Sequence, residues 1–174
     1  MTELTPLRTK NLDTLYGTAT LEWERVEAAI AAVTAGPGRT WFLGTVRADG
    51  RPHAAGIGHI WHRGAVFFTT GPGAQKTRNL LADPRCTLTA GLTEWDFVFE
   101  GRAVRESDPG VLATITAKYR EIGWPAEAQG DVVAAPYSAP SAGPGPWQLY
   151  RMTVYTVTAT AMTEPQGVTK WWFR

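Results

Sequence analysis

A single cysteine, Cys86, leaves this chain without an intramolecular disulfide. It lies in an apolar, strand-like run and reads as a buried structural thiol. A reactive thiol would want a helix N-terminus or several basic neighbours, and only Arg85 adjoins it. Charge of one sign is also missing: 17 basic residues face 16 acidic ones, for a formal charge of +1. That balance argues against a nucleic-acid binder, although it leaves room for a local basic pocket. No uninterrupted apolar run approaches the roughly 20 residues needed to cross a bilayer. The opening Met1-Thr2-Glu3-Leu4-Thr5-Pro6 lacks the basic-then-apolar pattern of a secretory signal, so a cytoplasmic location is expected. There is no internal repeat and no sign of a second domain. Residues 1–174 are read as one domain, long enough to bury roughly 70% of its unfolded surface.

What the chain does have is 8 tryptophans and 18 glycines, a mixture suited to a twisted β structure with aromatic filling and glycine corners. Residues 1–19 carry no sustained period and are expected to form an irregular arm. From Leu21 to Val33, Trp23, Val26, Ile30 and Val33 recur at helical spacing, ended by Ala35-Gly36-Pro37-Gly38. Strands are then expected over Thr40 to Arg47, His53 to Trp61 and Ala65 to Thr70, the first two joined by the Asp49-Gly50 turn. A short helix from Ala74 to Ala82 precedes strands over Cys86 to Ala90 and Asp96 to Arg105. Asp108-Pro109, an N-cap followed by proline, opens a third helix carrying Val111, Leu112, Ile115, Tyr119 and Ile122. Residues 124–147, crowded with Ala, Pro, Gly and Ser, are expected to be a long surface connection. A last strand over Gln148 to Met162 leads to the tail Thr169-Lys170-Trp171-Trp172-Phe173-Arg174. Six strands on mostly short turns, with helices at the edges, predict a mainly β fold, an antiparallel β-barrel with flanking helices.

Chemistry is most legible where the third strand runs through Gly71-Pro72-Gly73 into a helix opening with Lys76, Thr77 and Arg78. Unpaired N–H groups and the helix dipole make such an end a site for phosphate. The alternative is an ordinary solvated helix start with two surface cations. It is not a nucleotide-binding P-loop, because Gln75 and Thr70 stand where that motif needs glycine. His53, His59 and His62 lie close in sequence, but His59 and His62 fall on opposite faces of a strand. His53 and His59 would sit about 20 Å apart on a continuous strand, which excludes a shared metal. His59 is read as polar barrel lining and His62 as a turn residue. Ser107 and Ser138 lack a nucleophile-elbow context. Asp96 and Glu100 share a strand face, either as an acid–base pair or as a solvated surface. The apolar tail must pack on its own barrel or on a partner chain.

The order of motifs resembles the pyridoxamine 5′-phosphate oxidase-like split-barrel family, in particular its flavin/deazaflavin oxidoreductase branch. The resemblance rests on Trp41-Phe42-Leu43-Gly44-Thr45-Val46-Arg47-Ala48-Asp49-Gly50-Arg51-Pro52-His53, on Phe68-Thr69-Thr70-Gly71, and on Lys76-Thr77-Arg78-Asn79-Leu80 with Asp83-Pro84-Arg85. It continues through Phe99-Glu100-Gly101-Arg102-Ala103 and ends at Thr169-Lys170-Trp171-Trp172-Phe173. It implies a six-stranded split barrel, a homodimer, and a cofactor held in the subunit interface. The cofactor phosphate would meet Lys76, Thr77 and Arg78. The ring would lie along Gly56, Ile57, Gly58 and His59 and near Thr69 and Thr70. The partner's tail, at the positions of Lys170, Trp171 and Trp172, would close the site. Two departures from the vitamin-making oxidases, Gln75 in place of an arginine and a second strand without basic residues, point toward the F-420 deazaflavin rather than FMN.

The function expected is hydride transfer between that cofactor and an unsaturated small molecule, a reductase in which no side chain stands out as catalytic. His59 is the candidate proton donor. A second reading is a non-catalytic protein that binds or stores a flavin, haem or other planar ligand. A third is a barrel that carries apolar ligands without a cofactor.

Overall fold

Alternation of buried and exposed residues runs through most of the strands, and it builds a barrel. The computed structural model describes residues 4–34, 41–137 and 143–174, so the expected breaker at Ala35 to Gly38 and Ser138 lie outside the described residues. In chain order the elements are β1 (Arg8–Asn11), α1 (Trp23–Thr34), β2 (Trp41–Val46), β3 (Pro52–Ile57), β4 (His59–His62) and β5 (Ala65–Thr70). They continue with α2 (Gln75–Ala82), β6 (Arg85–Gly91), β7 (Trp95–Glu106), α3 (Pro109–Glu121), β8 (Glu127–Gln129), β9 (Val132–Ala134), β10 (Gln148–Ala161) and β11 (Gly167–Trp172). Every strand pairing is antiparallel. No helix among the described residues is long and apolar enough to cross a membrane.

The main sheet runs β1-β11-β10-β7-β6-β2-β3, with β5 also on β10 and β4 on β5. β10 pairs with β7 along most of its length, while its other edge changes partner. Residues 148–153 pair with β5 and residues 156–161 with β11. The expected second strand is in fact two. β3 pairs with β2 and β4 with β5, and the chain turns between them at the exposed Gly58. That corner joins the two free edges of the sheet covalently, and so closes the six-position barrel circuit.

Inside the barrel the inward residues are large and aromatic. Trp41 and Trp95 each stack on Phe97, at 5.7 and 5.6 Å between centroids, and Trp41 also meets Phe99. α1 covers one end with Val26, Ile30 and Trp23. A second apolar cluster lies between α3 and the outer side of β4, β5 and β10. It contains Ile60, Phe67, Leu112, Ile115, Tyr119 and Leu149. Asp108 caps α3 as expected, its carboxylate accepting from the Val111 N–H at 2.9 Å.

Three segments depart from the expected pattern. The N-terminal arm contains β1, an exposed edge strand that shows no apolar alternation because its order comes from hydrogen bonding to β11. The loop after it is held by Asp13, whose carboxylate accepts from the N–H groups of Leu15, Tyr16 and Thr18. The tail is a strand, and Trp171 and Phe173 pack inside their own chain on Trp23, at 5.5 and 4.7 Å. Residues 124–147 are not wholly a surface connection. β8 and β9 form a hairpin, and Ala126, Val133 and Trp147 are fully buried beneath it. Strands of three residues are too short to show a period, so composition alone spoke there.

A bulge in β10 sets its phase. The register with β7 slips between Val154 and Thr156. Inward positions are therefore Met152 and Val154 before it, then Val157, Ala159 and Ala161 after it. Facing the slip, Gly101 lies so close to β10 that a Cβ there would collide with the carbonyl oxygen of Thr153 and sit 3.1 Å from its carbonyl carbon. Backbone cannot yield as a side chain does. Gly101→Ala is expected to lower unfolding stability by about 2–3 kcal/mol through overpacking. Urea unfolding followed by tryptophan fluorescence would show a lower midpoint at unchanged slope.

Candidate functional site

The helix start singled out in the sequence separates into one residue that has no side-chain partner among the described residues and two that hold the loop. Thr77 donates its hydroxyl to the Gly71 carbonyl at 2.7 Å and meets the Thr70 hydroxyl at 3.0 Å. Arg78 folds back, donating to the Gly73 carbonyl at 2.6 Å and to Gln75 Oε1 at 2.8 Å. Lys76 does neither. It is 6% exposed, and among the described residues no carboxylate lies within ion-pair distance of it. Burial holds its ammonium below the ordinary lysine pKa. Ala74, which precedes the helix, offers no side-chain cap to its first N–H groups. An uncapped helix start beside an uncompensated buried cation suits an anion.

Behind Lys76, one turn along α2, Asn79 donates from Nδ2 to Thr45 Oγ1 at 2.9 Å and accepts from Gln75 Nε2 at 2.7 Å. Thr45 is paired across β2 and β3 with His53, whose Nδ1 lies 3.4 Å from the Thr45 hydroxyl. Burial first, and then the charges of Arg47 and Lys76, hold His53 below its usual pKa. Beside His53 a shallow groove of about 450 Å³ opens on the outer sheet face, lined by Gly44, Thr45, Val46, Pro52, Ala54 and Thr87. Its floor is low because Gly44 has no side chain, and a Cβ there would strike the Thr87 hydroxyl. Thr45, Arg47, His53 and Asn79 were not among the site residues expected from sequence. The signals were the hairpin register, which sets His53 opposite Thr45, and the spacing of Lys76 and Asn79 on one helix.

The outer sheet face carries some of the other expected residues. One row across it runs Gly56, Phe42, Thr89, Val98, Thr158 and Lys170, and the next runs Ala54, Gly44, Thr87, Glu100, Thr156 and Trp172. Phe42 and Val98 are exposed there. Gly56 and Lys170 are thus on one face but five strand spacings apart, about 24 Å along the sheet. Lys170 bonds Glu100 at 2.7 Å, and Thr156 donates to the same carboxylate oxygen. Lys170 and then Thr156 hold Glu100 below the usual carboxylate range, so it is a fixed anion. Of the Asp96–Glu100 pair, Glu100 is therefore committed to Lys170. Trp172 lies under Arg8, at 4.6 Å.

The remaining expected residues face elsewhere. Ile57 packs against the core, and Trp171 is 1% exposed within it. Thr69 shares the Phe67 face of β5, toward α3, where Tyr119 donates its hydroxyl to the Phe67 carbonyl at 3.4 Å. Thr70 is wholly buried at the loop. His59 is inside the barrel with its ring edge-on to Trp41 at 4.6 Å, and burial lowers its pKa to about 4. It is a neutral core ring near pH 7. Cys86 is likewise inert, its thiol pushed up to about 12 by burial. Among the described residues no three His, Cys, Asp or Glu side chains come together as a metal set.

The sequence model of the pyridoxamine 5′-phosphate oxidase family matches residues 26–160, a span that includes β2 to β9, α2, α3 and nearly all of β10. The chain belongs to that family. No curated protein matches it in sequence. Among solved structures, a Bacteroides thetaiotaomicron protein named as a candidate 5-nitroimidazole antibiotic resistance protein superposes with a TM-score of 0.60 at 12% identity, covering 94% of this chain and 89% of its own. A candidate pyridoxamine 5′-phosphate oxidase from Listeria innocua gives 0.55 at 17% identity, with 78% and 96% covered. A heme binding protein from Mycobacterium smegmatis gives 0.54 at 18% identity, covering 82% of this chain and 55% of that one. At such identities the likeness is one of fold, and the family's split barrel is the fold observed.

The burial of His59 has a measurable consequence. The unfolded chain protonates this residue near pH 6.5 and the folded chain only near 4. Stability is therefore lost as pH falls through that window, by about 3 kcal/mol in all, because the unfolded state binds the extra proton. His59→Phe is expected to remove most of that loss. Denaturation midpoints of the two proteins at about pH 7 and pH 4.5 would show it.

Proposed function

We propose that this family member is an oxidoreductase, a reductase that holds a phosphorylated flavin or deazaflavin with its ring on the outer sheet face. The cofactor's phosphate lies at Lys76, and its ring lies along the groove beside Gly44, Ala54 and Gly56. The observation that carries the reading is Lys76, a buried lysine with no carboxylate within ion-pair distance among the described residues, at an uncapped helix start. Thr77 and Arg78 keep the loop in place rather than the ligand, and Asn79 with Thr45 orders the wall behind it. The low floor at Gly44 lets a planar ring approach the backbone closely. Gln75 turns its side chain to Asn79 and Arg78 and brings no charge, which favours the F-420 deazaflavin over FMN.

The cofactor supplies the hydride chemistry when bound, and the protein binds, orients and excludes water. The apolar strip with Phe42 and Val98 exposed suits a second copy of the chain as the cover. Lys170 and Trp172 lie about 24 Å along the sheet from Gly56, so they reach a ligand there only from a partner. A homodimer with the cofactor between subunits follows from this reading, and a small unsaturated molecule is the substrate class.

A second reading is a holder of a flavin, haem or other planar ligand without turnover. It is favoured by the burial of His59, which removes the expected proton donor from the groove. Reduction of an added acceptor by the reduced, loaded protein separates the two.

Fluorescence titration of the purified protein with FMN and with F-420 tests the cofactor reading. Micromolar or tighter binding of one is expected, and binding of neither would remove it. Lys76→Ala is expected to weaken that binding by about 1–3 kcal/mol, the scale of a lost charged hydrogen bond. Equal affinity in the variant would take the phosphate away from the helix start.

A further inference from the structure

His53 lies opposite Thr45 on one face of the β2–β3 pair, and Asn79, bonded to Thr45, brings α2 and its Lys76 toward that face. His53 comes from β3, Arg47 from the end of β2 and Lys76 from α2, and both cations act electrostatically on the imidazole. Among the described residues the other side chains placed with it are neutral: Thr45 on β2, and Asn79 behind Thr45 on α2. No carboxylate is among the charges that shift it, and nearby Asp49 is paired with Arg51 at 2.7 Å. The Thr45 hydroxyl accepts from Asn79, and its own hydrogen has two acceptors at 3.4 Å, the His53 carbonyl and His53 Nδ1. With that hydrogen on Nδ1 the neutral ring carries its proton on Nε2; with it on the carbonyl, Nδ1–H donates to Thr45 instead. Protonation leaves the Nδ1 contact a donated bond in either case, which the Thr45 oxygen has a second lone pair to accept. The pair therefore accommodates either charge state without moving.

We propose that His53 is the proton-linked contact of the anion site, joining Lys76 and Arg47 around the ligand's phosphate in its charged form, so that binding takes up one proton. This rests on the reading of Lys76 as a phosphate contact and adds a specificity to it, a preference for highly charged anions at lower pH. Without ligand, two cations and partial burial disfavour the imidazolium. A bound anion reverses the sign of the field at the ring, and the proton comes from solvent. By linkage, the anion must then bind more tightly as pH falls through the His53 titration.

Long-range ¹H–¹⁵N spectra of the imidazoles test this, with His53→Gln assigning the signal. Sulfate is the first probe, because it does not itself titrate across about pH 5 to 8. Sodium chloride at equal ionic strength corrects for screening of Arg47 and Lys76. FMN and F-420 are the further probes, with fluorescence reporting whether each binds. At saturation the His53 midpoint is expected to rise by about one unit over the chloride control, and His62 to stay where it was. A shift of one unit corresponds to about tenfold tighter binding on the acid side of the titration. His53→Gln is expected to abolish that pH dependence while Lys76→Ala weakens binding at every pH. A His53 midpoint that matches the chloride control while a probe binds through Lys76 would overturn the proposal and leave the phosphate reading intact. Failure of all three probes to bind would remove both.

Discussion

The two-faced pairing of β10 is the constraint on which the rest of the molecule depends. A strand of 14 residues serves two different neighbours on one edge, and its inward side chains change phase between them. The slip at Val154 to Thr156 makes that change, and the close approach of Gly101 permits it. The first half of β10 carries β5, with β4 beyond it, and covers α3's cluster with Leu149. The second half carries β11, and through it β1 and the inward Trp171. Without the slip, Val157, Ala159 and Ala161 would face outward, and the aromatic interior would lose one wall.

The same economy of backbone geometry prepares the candidate site. The Gly71 to Gly73 loop is stabilised from within by Thr77 and Arg78, so it does not need Lys76. A buried lysine without a counter-charge is unfavourable, and an anion at that position would offset the cost. Membership of the pyridoxamine 5′-phosphate oxidase family is consistent with that arrangement, while the groove floor at Gly44 and the wall at Asn79 and Thr45 belong to this chain's own packing.

Much of this architecture was legible before any coordinates. The third strand falls at its expected residues, and the Asp49-Gly50 turn, the start of α3 at Asp108-Pro109 and the short helix at Lys76 lie where turn and cap chemistry put them. Local chemistry decides such features. The corner at Gly58 was not legible, because β3 and β4 together read as one run of strand formers. Only pairing with different partners separates them. The edge strand β1 and the short hairpin of β8 and β9 escaped for a similar reason, since neither buries enough of its own side chains to print a period. For the site, the helix start with Lys76 was visible as a pattern. Which of its three polar residues lacks a side-chain partner among the described residues was not.

From the sequence alone came the mainly β class, the barrel with helices at its edges, and a basic helix start after a glycine turn, all of them properties of residues close together in the chain. The tertiary structure decided which way each side chain faces. It turned His59 and Trp171 into the core, Thr69 toward α3, and Lys170 and Trp172 onto the outer sheet face. It also brought His53 under the influence of Lys76. Those outcomes depend on strand register and on the phase slip in β10, set by contacts between residues far apart in sequence, and no local pattern records them.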